Sequence, residues 1–376
     1  MWNVGSGPAW MAIYLLAAGW TISSGPSSQK GRAVKAYKNI LVIKMSSLGD
    51  VLHALPTLYA LRQNCPDARI VWAVHEQFAP VLPGKPYIDE VIYIDKKRLK
   101  SLSYWKELRR TLHAYHFDVS FDLQGLAKSA IVAWLSGAEE RYGYWEMREG
   151  SFLVSKGLTG PHKYDHVIER YLDTVRVLGG RVDAIEFPLP DITGERRAWR
   201  QRLAADGLTG PYVAIVPGAR WSVKEWPLSH WQAFLQRLTA SGMAAVLLGS
   251  GDDVPKGKAL KDHDSSGQVF DYTGRTDLRQ LMAAIAESAL YISADTGPLH
   301  MANALKKELI ALFGPTCPQR TGPYGGNDDA YIHMVLSPTS QATPERPLVD
   351  DPDCMAQITP DALWQVYEGV LKKVEL

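Results

Sequence analysis

Asp50 stands at a turn in the run K-M-S-S-L-G-D-V-L-H, which extends from Lys44 to His53. A carboxylate in the first turn of a helix satisfies free amides and the positive dipole end, so a structural cap is one reading. The other is a general base, since a carboxylate at the carboxyl edge of a sheet can reach a ligand in a cleft. A second cluster, V-P-G-A-R-W-S-V-K-E-W-P from Val216 to Pro227, opens from an apolar run and offers Arg220 and Lys224 among aromatics. Loop lysines are usually solvated, but a cation here could also stabilise a departing diphosphate. The third cluster, L-L-G-S-G-D-D at 247–253, is a glycine turn that says little alone, and its paired Asp252 and Asp253 read as solvated rather than as metal ligands. The fourth carries most information: A-D-T-G-P-L-H at 294–300, then L-I-A-L-F-G-P-T at 309–316, with Arg320 close behind. A helix opening after Thr296 and Gly297 presents unpaired amides and a positive dipole end to a phosphate. His300 lies about one turn further on and can point back at the same ligand, or serve as an ordinary structural group. The stretch reads as a cradle for a nucleotide diphosphate.

Weaker signals lie in the first half. Gln124 and Lys128 fall within D-L-Q-G-L-A-K-S at 122–129, Arg148 precedes Glu149, and His166 is followed by Glu169 and Arg170. These could be plain surface, or a basic patch for an acidic acceptor.

The elements that must hold these groups follow from the apolar pattern. Buried-strand runs are expected at 40–44, 69–74, 90–94 and 119–123, with helices over 51–64 (Pro56 inside), 104–115 and 164–178, the last closed by Gly179-Gly180. A Pro-rich break (F-P-L-P-D at 187–191) and a charged helix to about 206 follow; then strands recur at 212–216, 244–248, near 269, 290–293 and 309–313. Strands alternating with helices predict parallel, doubly wound sheets. The expectation is an α/β chain with an extension over 1–37, one Rossmann-like domain over 38–190, a hinge at 191–208, and a second Rossmann-like domain over 209–355. A terminal helix over 356–376 would have the option of packing back on the first domain.

Composition narrows the classes. A chain of 376 residues is long for one core, and a net charge of +1 gives no global argument for nucleic acid. Cys65, Cys317 and Cys354 are far apart without metal-ligand spacing, which suits a reducing compartment. The first 29 residues carry no charged side chain, and their apolar run at 9–20 is short of the roughly 20 residues of a membrane span. A disordered extension, an interfacial anchor followed by Lys30, Arg32, Lys35 and Lys38, and a true span are the readings in descending order. A nicotinamide-dependent dehydrogenase would need G-x-G-x-x-G after the first strand, where this chain has S-S-L-G-D.

Three motifs together resemble the lipopolysaccharide heptosyltransferases, the family 9 glycosyltransferases of the GT-B fold: A-D-T-G-P-L-H-M-A-N-A-L with L-F-G-P-T-C-P-Q-R-T-G-P-Y-G, then K-M-S-S-L-G-D-V-L-H-A-L-P, then P-G-A-R-W-S-V-K-E-W-P. The likeness covers about 38–376, and D-L-Q-G-L-A-K-S-A, M-R-E and H-V-I-E-R make it more similar to heptosyltransferase I than II. It implies two domains facing across a cleft and transfer of heptose from ADP-heptose to the Kdo of lipid A, with no cofactor or metal. It also implies a cytoplasmic enzyme peripheral to the inner membrane. By the same resemblance Asp50 is the base. Arg220, Lys224, Asp295, Thr296, Gly297 and His300 would hold the donor. Ser46, Ser47, Gln124, Lys128, Arg148 and His166 would meet the acceptor.

Overall fold

The computed structural model describes residues 37–326 and 329–374; the expectations for the N-terminal extension lie outside the described residues. The first half runs β1 (Asn39–Ile43), α1 (Leu48–His53), α2 (Leu55–Asn64), β2 (Arg69–Val74), β3 (Glu90–Tyr93), α3 (Leu102–His113), β4 (Val119–Asp122), α4 (Ala127–Leu135), β5 (Glu140–Tyr144), β6 (Lys156–Leu158) and α5 (Val167–Arg176). The second half runs α6 (Thr193–Ala205), β7 (Tyr212–Val216), α7 (Leu228–Ala240), β8 (Ala244–Leu247), α8 (Val254–His263), β9 (Val269–Asp271) and α9 (Leu278–Glu287). It continues with β10 (Leu290–Ala294), α10 (Gly297–Ala304), β11 (Leu309–Phe313), α11 (Pro318–Thr321), β12 (Ile332–Leu336) and α12 (Pro360–Val374).

Each half builds a six-stranded parallel sheet, ordered β3-β2-β1-β4-β5-β6 and β12-β11-β10-β7-β8-β9. This is the doubly wound order in which ligands lie beyond the strands' carboxyl ends, where the order reverses. Helices cover both faces, so the central strands are buried and mainly apolar: Leu41, Val42, Ile43, Ile215, Ile292 and Ile310 are all fully buried. Each such side chain contributes about 1.5–3 kcal/mol relative to exposure. Register then sets the sites. Pairing Ile43 with Asp122 brings Lys44 level with Leu123. Pairing Ser293 with Val216 brings the loop after β7 beside Asp295.

Several expectations need correction. The single helix over 51–64 is two, α1 beginning at Leu48 and the break falling at Ala54. Pro56 explains it, because its ring cannot donate an N–H and crowds the carbonyl four residues earlier. Helices α4, α7, α8 and α9 and strands β5, β6 and β12 are elements that the apolar pattern does not single out. The segment 191–208 is no free hinge: helix α6 fills most of it and is tied to the second half. Trp199 Nε1 donates to the Tyr212 hydroxyl at 2.9 Å, and Arg200 pairs with Glu287 at 2.9 Å. The irregular connection lies just before it, at 180–192. The terminal helix does not return to the first half. Leu363, Tyr367 and Val370 of α12 are buried with Trp231, Phe234 and Leu238 of α7 against the second sheet.

Candidate active site

The first wall is the β1–α1 turn. Gln124 Oε1 accepts from the amides of Met45 and Ser46, both at 3.1 Å, which fixes the chain as it leaves the strand. Ser47 caps α1 and donates to Asp50 Oδ2 from its amide at 3.0 Å and its hydroxyl at 2.7 Å. The cap reading of Asp50 therefore holds, but for one oxygen. Oδ1 instead faces Lys44 Nζ at 3.9 Å, and 44% of the Asp50 side chain stays accessible. Burial among its neighbours pushes the carboxyl up; the Lys44 charge, the two Ser47 hydrogen bonds and His300 outweigh it, leaving the group below its ordinary value. The carboxylate is ionised at neutral pH and stays partly accessible.

The second wall joins the ends of β7 and β10. Lys224, in a short turn after β7, donates to Asp295 Oδ2 at 2.6 Å and lies 5.2 Å from the Trp221 ring centroid. His300 Nε2 lies 3.6 Å from Asp295 Oδ1. Burial alone would raise the Asp295 carboxyl, yet the neighbouring His300 ring and the Lys224 charge hold it far below the usual range. Thr296 takes the N-cap position of α10, with Gly297 opening the helix. Beneath, the glycine turn after β8 is steric: a Cβ on Gly249 would lie 2.7 Å from Asp253 Oδ2, and one on Gly218 after β7 would lie 1.7 Å from Oδ1 of the same residue. Asp253 is buried and ties Ser250, contrary to the solvated reading, whereas Asp252 is exposed as that reading expects.

The walls touch. A Cβ on Gly49 would meet His300 Cδ2 at 2.5 Å, and one on Gly297 would meet Leu48 at 3.0 Å, so both glycines permit close backbone approach of α1 and α10. His53 Nε2 lies 3.1 Å from His300 Nδ1. His166, at the start of α5, donates from Nε2 to the Gly322 carbonyl at 2.9 Å. Arg320 embraces Glu146 at 2.8 and 2.6 Å, and the Tyr324 hydroxyl donates to Glu169. Burial lowers the imidazole of His53 well below its usual value and that of His166 to about 4.

Of the residues singled out in the sequence, the fold gathers Asp50, Ser46, Ser47 and Gln124 on one wall and Lys224, Asp295, Thr296, Gly297 and His300 on the other. His166 joins the halves. Arg220, Lys128 and Arg148 are exposed on the surrounding surface. The sequence reading missed Lys44, His53, Glu146 and Tyr171. Among the described residues, no three His, Cys, Asp or Glu side chains converge as metal ligands, and no helix is long and apolar enough to cross a membrane.

Two Rossmann-like sheets, with a carboxylate on one wall and a lysine–aspartate pair beside a helix N terminus on the other, form a GT-B glycosyltransferase. The model of glycosyltransferase family 9 (heptosyltransferase) matches residues 105–347, and the chain belongs to that family. It is 28% identical over 355 residues to lipopolysaccharide heptosyltransferase 1 of Pseudomonas aeruginosa, covering 88% of this chain and 98% of that protein. It is 27% identical over 302 residues to lipopolysaccharide heptosyltransferase 1 of Escherichia coli K12, covering 77% and 91%. In fold it is similar to a family 9 glycosyl transferase from Veillonella parvula, with a TM-score of 0.80, 22% identity, and coverage of 89% and 98%. It is also similar to ADP-heptose lipopolysaccharide heptosyltransferase II of E. coli, with a TM-score of 0.72, 23% identity, and coverage of 90% and 100%.

Proposed function

We propose that the protein is an inverting heptosyltransferase of lipopolysaccharide core synthesis, moving L-glycero-D-manno-heptose from ADP-heptose to the Kdo of Kdo-lipid A. The observation that carries the reading is the pairing of an ionised, partly accessible Asp50 with Lys224 and the α10 N terminus on the opposite wall. Inversion needs a base on one face of the anomeric carbon and a stabilised leaving group on the other. Asp50 Oδ1 takes the proton of the Kdo hydroxyl as that oxygen bonds to the heptose anomeric carbon. The bond from that carbon to the ADP phosphate oxygen breaks through an oxocarbenium-like transition state, as in glycoside hydrolysis. Lys224 and the amides at Thr296 and Gly297 take up the charge on the departing diphosphate.

The closed α1–α10 contact keeps water from the donor during transfer. The acceptor is lipid-linked, so the enzyme works at the cytoplasmic face of the inner membrane, with Arg148 and Lys128 toward the acidic sugar. Preference for the first heptose rests on identity to heptosyltransferase 1 proteins (28%) above that to heptosyltransferase 2 of E. coli (26%).

The test is purified protein with ADP-heptose and either Kdo-lipid A or heptosyl-Kdo-lipid A, read by mass spectrometry of the acceptor. Heptose on Kdo-lipid A is expected. Transfer to the heptosylated acceptor alone would make it a heptosyltransferase II, and transfer to neither would refute the reading.

A further inference from the structure

We infer that Lys44 is a positioning residue for the transfer, its buried ammonium holding the Asp50 carboxylate ionised and in place at the edge of the cleft. The inference rests on the reading of Asp50 as base. Lys44 directly follows β1 and is 2% exposed. Its Nζ donates to the Leu123 carbonyl at 2.9 Å and to the Tyr171 hydroxyl at 2.8 Å, and it faces Asp50 Oδ1 at 3.9 Å. An ammonium has three protons. A carbonyl after β4 and a phenol on α5 place two of them, and Oδ1 at 3.9 Å meets the charge as an ion-pair partner rather than through a hydrogen bond.

Neutral partners do not offset the cost of burying a cation, so a counter-charge is required. Asp122 cannot serve as its partner at contact distance. Its oxygens are committed to the Gln124 and Gly125 amides and the Ser129 hydroxyl, and burial lifts its carboxyl to about 6. Asp50 supplies the charge instead. The other groups around the pair are His53 on α1, Tyr144 on β5, Glu146 and Arg148 after it, Arg170 on α5 and His300 on α10.

Two consequences follow. Before transfer, Lys44 keeps Asp50 in the form that can accept a proton. When Oδ1 has taken the proton of the acceptor hydroxyl, Lys44 is left without its counter-charge, which drives that proton on to water and restores the base. Lys44 exchanges basicity for a fully ionised resting state.

The experiment measures kcat/KM against pH for heptose transfer from ADP-heptose to Kdo-lipid A, alongside melting curves and calorimetric ADP binding. It compares Lys44→Met, Lys44→Arg, Tyr171→Phe and Asp50→Asn. Wild type should hold its plateau to the lowest pH at which it stays folded. Lys44→Met should lower kcat by roughly 10- to 100-fold, bring an acid limb into the measurable range, and leave ADP binding unchanged. Lys44→Arg should recover part of the rate and withdraw the limb. Tyr171→Phe should shift it in the same direction as Lys44→Met, by less, and it carries the test if Lys44→Met does not fold. A wild-type profile in Lys44→Met, or in Tyr171→Phe where that variant carries the test, would overturn the role of Lys44. Retained turnover in Asp50→Asn would instead refute the base reading itself. An inactive Asp50→Asn beside an unmoved profile overturns this inference alone.

Discussion

His53 on α1 and His300 on α10 meet ring to ring between the two halves, Nε2 of the first 3.1 Å from Nδ1 of the second and the centroids 4.2 Å apart. Both are buried, and one proton lies between the two nitrogens. His300 also faces Asp295, so a histidine in the first half steadies the donor wall of the second. Replacing His53 with Phe keeps most of the volume and strands His300 Nδ1. The expected result is a loss of about 1–3 kcal/mol in urea unfolding, with a fall in kcat.

Acidification should loosen the halves through His166. Its folded-state value, near 4, lies below the ordinary 6.5, so between those values the unfolded chain binds the proton and the folded chain does not. The His166 contribution to stability is complete above about 6.5 and is lost as pH falls toward 4. His53, lowered by burial and by His300, acts with the same sign. Urea unfolding at pH 7 and pH 5 should show a drop in wild type that shrinks in His166→Phe and shrinks further in the double variant with His53→Phe.

Lys224 and Asp295 form a pair whose loss has two separable effects. Lys224→Met removes the cation for the diphosphate, and kcat should fall on the order of 10²-fold with weaker ADP binding by calorimetry. It also leaves the Asp295 charge buried with His300 alone, at a cost of about 3 kcal/mol. Because the Asp295 carboxyl is depressed in the folded state, its contribution is present above the ordinary carboxylate value and disappears as pH falls below it. Lys224→Met should therefore lose less stability on acidification below pH 4 than wild type does.

Gly49 and Gly297 set how closely α1 and α10 approach. A methyl at Gly49 would press into His300 at 2.5 Å, and one at Gly297 into Leu48 at 3.0 Å. Each Ala variant should fold yet hold the halves apart. Small-angle scattering should give a larger radius of gyration, and kcat/KM should fall roughly 10²-fold, the effect of displacing reacting groups by about 1 Å. Gly49→Ala should be the more severe, since it meets a buried ring rather than a movable leucine.

Much of this site is legible in the sequence. Asp50, Lys224 and Asp295 follow apolar runs directly, and local pattern is enough to place a residue at the end of a parallel strand. Lys44 was not legible in its role, because a lysine closing an apolar run looks like a strand end reaching solvent. Its partners Leu123 and Tyr171 lie 79 and 127 residues away. The same holds for Glu146 and Arg320, 174 residues apart. Among the strands, β6 has three residues and β12 carries His333, too short or too mixed for a periodicity to declare itself. Helix α6 was seen as a helix but placed in a hinge, since its docking depends on Tyr212 and Glu287, which the pattern does not connect to it.

The connection at 180–192 divides the gene as well as the fold. Asp50 and the lysine facing it are encoded on one side, and Lys224 with its aspartate on the other, so either half carries its chemistry complete when it recombines with a relative. What must be inherited jointly is a short set of matched partners: His53 and Gly49 with His300, Leu48 with Gly297, Glu146 with Arg320, and Glu169 with Tyr324. A chimaera joined within that connection, with those pairs kept, can take a new acceptor specificity without rebuilding donor chemistry.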